Sequence, residues 1–268
     1  MIRVFDNQND FLEKYERFFS NDEICYGLIW GIAKRKSIVT YMISSEIDDR
    51  FVVGVLAGKN LIIASNTLEE DVYRDLVVYM NDVDYPGIIG LKEHCNLYNS
   101  LYSRVNGKNL ITKMDQRIYY CTEINECSEQ TGIVRLAEKL DMDCIVEWAI
   151  NFSKEAEDST TTLKDARKNI ENKIMNRTLY VLEVNNQVVS MAARTRSLNT
   201  TESVGYVYTP ENLRGKGYAS RVVEEVTRLV LNDNKTATLY TDLSNPTSNS
   251  IYMKIGYKPY CDSVMMSN

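Results

Sequence analysis

Histidine is almost missing from this chain: His94 is the only one in 268 residues. One imidazole cannot build a multi-histidine metal site. Nor can it serve a Ser-His-Asp triad in the C-terminal half unless it reaches there from another domain. His94 is read as a helix-surface or interface residue. Cysteine occurs six times, at positions 25, 95, 121, 127, 144 and 261, yet no two form a C-x-x-C pair. Zinc-ribbon and dithiol readings lose their usual motif, and reduced thiols in a cytoplasmic home are the expectation. A basic excess is also missing. Lys and Arg total 31 against 37 for Asp and Glu, a net charge of −6. That argues against a nucleic-acid partner and mildly favours cationic acceptors such as amines. No apolar run approaches the ~20 residues that cross a bilayer, so no membrane role is expected. The N-terminus carries acids early and no apolar core, unlike a signal peptide. Short repeats and low-complexity tracts are lacking too. So are the P-loop spacing G-x-x-x-x-G-K-[ST] and the dinucleotide spacing G-x-G-x-x-G.

What is present is a soluble-type composition, 44% hydrophobic and 25% charged, long enough for two small domains or one large one. The organising stretch is Val204 to Val230. Residues 204–208 are β-branched and aromatic and suit a strand, which Thr209-Pro210 stops. Arg214-Gly215-Lys216-Gly217-Tyr218-Ala219-Ser220 leads into a helix with Val222, Val223, Val226, Leu229 and Val230 on one face. The first turn of a helix has backbone N–H groups without partners inside the helix, and the helix dipole adds positive potential. Strand, glycine loop and helix together propose a phosphate or pyrophosphate cradle. The glycines alone fit an ordinary turn before an amphipathic helix equally well.

The spacing Arg214-x-x-Gly217-x-Ala219, after a strand ending Val207-Tyr208-Thr209-Pro210, resembles the acetyl-CoA motif R/Q-x-x-G-x-G/A of the GNAT superfamily of N-acetyltransferases. A second stretch places Asn245, Ser248, Tyr252, Gly256 and Tyr257 at the spacing N-x-x-[AS]-x-x-x-Y-x-x-x-G-[FY], similar to the second GNAT signature. The resemblance covers about residues 131–268. It implies an α/β class with a mixed sheet (α+β), the GNAT acyl-CoA acyltransferase fold. It also implies acetyl-CoA as co-substrate without a metal, and direct attack by a primary amine through a tetrahedral intermediate. By this resemblance the cofactor-binding residues are Val207, Tyr208, Thr209, Arg214, Gly215, Lys216, Gly217, Tyr218, Ala219, Ser220, Asn245 and Ser248. Arg214 and Lys216 would add charge. Tyr252 matches the tyrosine that protonates the leaving thiolate, with a packed aromatic as the alternative. Glu202 is a candidate base and Glu183 a second. Glu147, Trp148 and Phe152 either border the acceptor or belong to the core. A CoA-binding sensor without turnover is the alternative function.

The N-terminal half, residues 1–127, follows a GNAT-like order of elements but has no R-x-x-G-x-G/A loop. It is read as a degenerate GNAT-like domain, in tandem with a catalytic domain over 128–268, as in two-domain bacterial GNAT proteins. The alternative is an unrelated α/β domain. Asn125 to Gly132 is the expected linker. Thr67 is a candidate N-cap with Glu70 as its capping-box partner. Asn185-Asn186 is a two-residue hairpin turn. The protein is expected to be a monomer or homodimer.

Overall fold

The computed structural model describes residues 1–35, 39–58, 60–125, 132–156 and 160–268. Most of the expected linker, and Cys127 within it, lie outside the described residues. The first half runs β1 (Ile2–Val4), α1 (Gln8–Asn21), α2 (Glu23–Ala33), β2 (Val39–Ile47), β3 (Arg50–Ala57), β4 (Asn60–Ser65), α3 (Glu70–Met80), β5 (Gly87–Leu91), α4 (Lys92–Asn106) and β6 (Ile111–Cys121). The second runs β7 (Ile133–Leu136), α5 (Met142–Ala156), α6 (Leu163–Met175), β8 (Leu179–Val184), β9 (Gln187–Ser197), β10 (Thr201–Tyr208), α7 (Tyr218–Asn232), β11 (Thr236–Asp242), α8 (Pro246–Ile255) and β12 (Lys258–Ser267). The order of helices and strands is the same in both. No helix among the described residues is long and apolar enough to cross a membrane.

The chain condenses into two compact units that are discontinuous in sequence. Unit 1 holds Met1–Ile118, Tyr240–Pro246 and Pro259–Asn268, and unit 2 holds Tyr119–Leu239 and Thr247–Lys258.

In unit 1 the strands lie in the order β1-β2-β3-β4-β5-β12. β4 and β5 are parallel, and β12 runs antiparallel to β5 from Ser263↔Leu91 to Ser267↔Gly87. Val72, Tyr73, Leu76, Val77 and Met80 of α3 are fully buried against Leu61, Ile63 and Ile88. Their i, i+1, i+4, i+5, i+8 spacing is the apolar stripe of a helix packed on a sheet. Each such side chain contributes ~1.5–3 kcal/mol on burial. His94 is not on a surface. It is buried in α4 with Nδ1 2.5 Å from the Tyr73 hydroxyl. Burial lowers its pKa against a smaller opposing effect of Glu93, so the ring is held neutral. The start of α3 also differs from expectation. Thr67 Oγ1 accepts the Glu69 N–H at 3.1 Å, and the helix begins at Glu70 without a side-chain cap.

In unit 2 the order is β11-β10-β9-β8-β7. The hairpin turns at Asn185 and Asn186 with φ of 50° and 62°, the left-handed pair that a type I′ turn requires. Alternate residues of the strands serve two cores. Leu182, Ala192 and Val204 pack with Val222, Val223, Val226 and Val230 of α7. Val181, Met191, Ala193 and Tyr208 pack with Ile145, Ala149, Ala166 and Ile170 of α5 and α6. The period of two divides the residues of β8 and β9 between the cores, and an irregularity in β10 between Gly205 and Tyr208 turns Tyr208 to the face opposite Val204.

A buried carboxylate anchors the entry to α5. Asp141 accepts from Arg135 at 2.8 and 3.0 Å and from the Glu138 N–H at 2.8 Å. Burial opposes its ionisation, but these hydrogen bonds outweigh burial and its pKa is lowered. A lowered folded pKa gives stability that is present above the unfolded value of ~3.9 and is lost as pH falls through the folded value. Asp141→Ala, which leaves Arg135 with Glu183 as its carboxylate partner and takes the acceptor from the Glu138 N–H, is expected to cost ~3 kcal/mol at pH 7 in urea titrations. The deficit should shrink below about pH 4, where the wild-type carboxylate protonates. An equal deficit at pH 7 and pH 3 would show that its charge is not what stabilises the fold.

Candidate active site

The chemistry-bearing residues of the sequence fall along β10 and the loop that follows it. β10 pairs in parallel with β11 only at Thr201↔Thr236, Glu202↔Ala237 and Ser203↔Thr238. Both strands continue, yet among the described residues no later position of β10 faces one of β11. The edge of β10 from Val204 to Tyr208 is therefore open on that side. On the other side the register with β9 jumps between Gly205↔Ala193 and Tyr208↔Met191. Tyr206 and Val207 have no opposite residue there, and Tyr206 has a φ of 56°. This is a bulge, and a bulky residue in the left-handed region costs of order 1–3 kcal/mol. It turns the backbone of Tyr206 and Val207 away from the ladder, at the place where the strand edge is exposed.

Tyr208 and Thr209 are held more firmly. Ser190 Oγ donates to the Tyr208 carbonyl at 3.1 Å and lies 2.8 Å from Thr209 Oγ1. A short 3-10 turn over Glu211–Leu213 follows Pro210. Then Gly215 and Gly217 both take a φ of 76°, and no atom lies within 4 Å of where a Cβ would sit. Their glycines serve the left-handed backbone, which costs other residues roughly 1–2 kcal/mol. Gly217 caps α7 without a side chain, and its carbonyl accepts the Arg221 N–H at 3.0 Å. Among the described residues, no acceptor is assigned to the backbone N–H groups of Gly215, Lys216, Gly217, Tyr218, Ala219 and Ser220. The loop is an open nest of donors at the positive end of a long helix, the arrangement that binds phosphates.

The two basic side chains of the loop behave differently. Lys216 is exposed and has no partner among the described residues. Arg214 is turned back: Nε donates to the Thr209 carbonyl at 2.9 Å, a terminal nitrogen meets Glu155 at 2.5 Å, and the guanidinium lies 5.7 Å from the Tyr208 ring centre. Its charge is thus met by a carboxylate. Glu155 also accepts from the Tyr208 hydroxyl at 3.2 Å. Burial, then the Glu155 charge, raise the Tyr208 pKa. Glu155 escaped the sequence reading, since nothing local marks a glutamate near the end of α5 as the partner of residues 208 and 214. Trp148 packs 6.2 Å from Tyr208, and Phe152 5.0 Å from Tyr206. Glu147, their neighbour on α5, is exposed.

Tyr252 is half-buried on α8, with its ring edge-to-face on Tyr257 at 6.1 Å. Burial pushes its pKa up to about 12, against the lowering effect of a hydrogen bond with Ser248 one turn earlier. The phenol is therefore fully protonated near neutral pH. Ser248 is thus set against Tyr252. Asn245 falls in unit 1, where its N–H donates to the Asp242 carbonyl at 3.1 Å just ahead of α8.

Glu202 and Glu183, the two candidate bases, both sit in ion pairs. Glu202 lies on the paired part of β10, buried, with Arg194 at 2.5 Å, and Arg194 also meets Asp233 at 2.5 Å. It stands four residues from Tyr206, ~13 Å along an extended strand. Glu183 is likewise engaged, by Arg135 at 2.7 Å. Both close ion pairs within unit 2.

Unit 1 has the same parting of strands without the nest. β4 and β5 pair at Asn60↔Gly87, Leu61↔Ile88 and Ile62↔Ile89 only. The chain then enters α3 through Glu69, Glu70 and Asp71, with the Val72 N–H taken by Asp71. Three carboxylates and no glycine stand there, Asp71 paired with Arg50 and Glu70 with Arg104, and they do not form a nest of open backbone donors.

Residues 183–265 match the family model of FR47-like proteins. No curated protein matches the chain. Among solved structures, an acetyltransferase of the GNAT family from Colwellia psychrerythraea superposes with a TM-score of 0.70 at 12% identity, over 100% of this chain and 99% of that one. A GCN5-related N-acetyltransferase from Kribbella flavida gives 0.64 at 12%, over 92% and 94%. A tandem GNAT protein from the clavulanic acid biosynthesis pathway gives 0.60 at 7%, over 100% and 98%.

Proposed function

From a chain that has the GNAT fold in tandem, we propose an acyl-CoA-dependent acyltransferase that moves an acetyl group to a primary amine. The observation that carries this reading is the open run of amides from Gly215 to Ser220, beside the exposed and bulged edge of β10. These amides, with Lys216 adding charge, are assigned to the diphosphate of CoA. Asn245 and Ser248 are assigned to the rest of the carrier, following the second signature.

The residues divide the work of acyl transfer. The bulged backbone at Val207 is assigned as a donor to the thioester carbonyl. A preorganised donor of this kind stabilises a developing oxyanion by ~3 kcal/mol. Nitrogen bonds to the carbonyl carbon while the carbonyl electron pair moves onto oxygen, and collapse of this tetrahedral intermediate then breaks the carbon–sulfur bond. Tyr252, protonated throughout the neutral range, gives its proton to the departing sulfur. With Glu202 and Glu183 tied in ion pairs, the amine's proton is assigned to solvent at the open edge. Unit 1 takes the part of a GNAT-like domain without a cofactor cradle.

Calorimetry with acetyl-CoA tests the reading, followed by thiol release with a panel of amines. Binding tighter than ~100 µM and amine-dependent release are expected. No binding at that concentration overturns the proposal. Tight binding with silence across the panel would replace it with a CoA sensor.

A further inference from the structure

Two cysteines that no sequence motif joins meet inside unit 1. Cys25 lies on α2 and Cys261 on β12, 236 positions apart, with their Sγ atoms 2.6 Å from each other. Non-bonded heavy atoms rest ~3.5–4.0 Å apart. The pair is much nearer the ~2.05 Å of a sulfur–sulfur bond.

The surroundings hold both residues in place. One oxygen of Asp22 accepts the Cys25 N–H at 3.0 Å and caps α2. Its other oxygen accepts the hydroxyl of Tyr260, the residue before Cys261, at 3.2 Å. Arg117 grips Asp262, the residue after Cys261, at 2.7 and 3.1 Å. Beyond it β12 is paired to β5. These bonds hold the two backbones in place, leaving rotation about Cα–Cβ as the way either sulfur can move. Access is also built in. Cys261 lines a cavity of about 340 Å³ with Arg117, Pro259, Tyr260 and Asp262. Cys95 and Cys121 are buried.

We propose that Cys25 and Cys261 are a redox-responsive pair, joined into a disulfide by small-molecule disulfides of the glutathione class and reopened by thiols. Cys261, facing the cavity, loses its proton to solvent and attacks the small disulfide, and one small thiolate leaves. Cys25 then loses its proton, attacks the Cys261 sulfur and expels the second small thiolate. The departing thiolates regain those two protons. One external sulfur–sulfur bond is consumed and one internal bond is made. The Cys25 sulfur already lies beside the Cys261 sulfur, so the second attack needs no rearrangement of the backbone. The bridge pins the last strand of the chain to a helix near its start. A loop this long constrains the unfolded chain strongly, so the bridged protein should melt roughly 5–10 °C higher.

The test is to incubate the native full-length protein with oxidised glutathione, quench, unfold and count thiols. Two of the six are expected to disappear, with a cross-linked peptide joining Cys25 to Cys261 and a higher melting temperature that dithiothreitol reverses. Cys25→Ala and Cys261→Ala should each melt at the same temperature with or without oxidant. Six thiols still free, a lasting glutathione adduct on Cys261, or a bridge between any other pair would overturn the proposal.

Discussion

Tyr252→Phe is expected to lower kcat by ~10²–10⁴-fold while the affinity for CoA stays within about threefold. The ring keeps its edge-to-face contact with Tyr257, so packing is preserved and only the hydroxyl is lost. The phenol pKa of about 12 sets the accompanying pH behaviour. A raised pKa means the neutral form persists until strongly alkaline pH. Between pH 6 and 9 the wild-type rate should therefore show no limb from this group, and the variant's profile should run parallel and lower. The check is a steady-state pH series on both proteins, with acetyl-CoA saturating. A variant within threefold of wild type would leave Tyr252 as a packed aromatic and remove the acid from the mechanism. The fold assignment would stand.

Gly217→Asp should weaken CoA binding by at least ~100-fold, read by calorimetry. The substitution acts on the nest in two ways. It puts a carboxylate among amides that carry the positive end of the α7 dipole, so it fills the place an anion would take and repels that anion. It also asks a side chain to accept a φ of 76°. Aspartate tolerates that region better than most residues, and open space surrounds the Cβ, so the protein should still fold. Circular dichroism and an unchanged melting temperature, within a few degrees, would establish that binding alone was lost. Unchanged affinity in a folded Gly217→Asp protein would mean the diphosphate does not sit on this loop.

Much of the local structure was legible in the residues. Residue patterning alone places a helix over Leu163–Met175 and strands over Arg50–Ala57, Asn60–Ser65 and Leu179–Val184, and α6, β3, β4 and β8 run there because their signals lie within a few neighbouring side chains. The Asn185-Asn186 turn was legible for the same reason: two residues that tolerate positive φ, between two alternating strands. The glycine loop was visible as an open turn, and the glycines do carry left-handed backbone. Strands β1 and β12 were not read. Short or mixed in character, they become strands because β2 and β5 stand beside them to take their hydrogen bonds. His94 was misplaced on a surface because a polar residue gives no local sign that a buried tyrosine waits 21 positions away.

By itself the sequence determined most of the order of elements, strands β1 and β12 excepted, the motif with its two glycines, and the absence of a second such motif in the first half. These depend on backbone preference and side-chain periodicity, which act over a few residues. Only the tertiary structure decided that Arg214 faces Glu155, that Glu202 is tied up by Arg194, that Cys25 meets Cys261, and that β12 belongs with unit 1. Except for the Glu202 pairing, which closes across β9 and β10, those partners are dozens to hundreds of positions apart. Charge and sulfur carry no periodicity, so their pairing appears only once burial of the two cores has brought distant segments together.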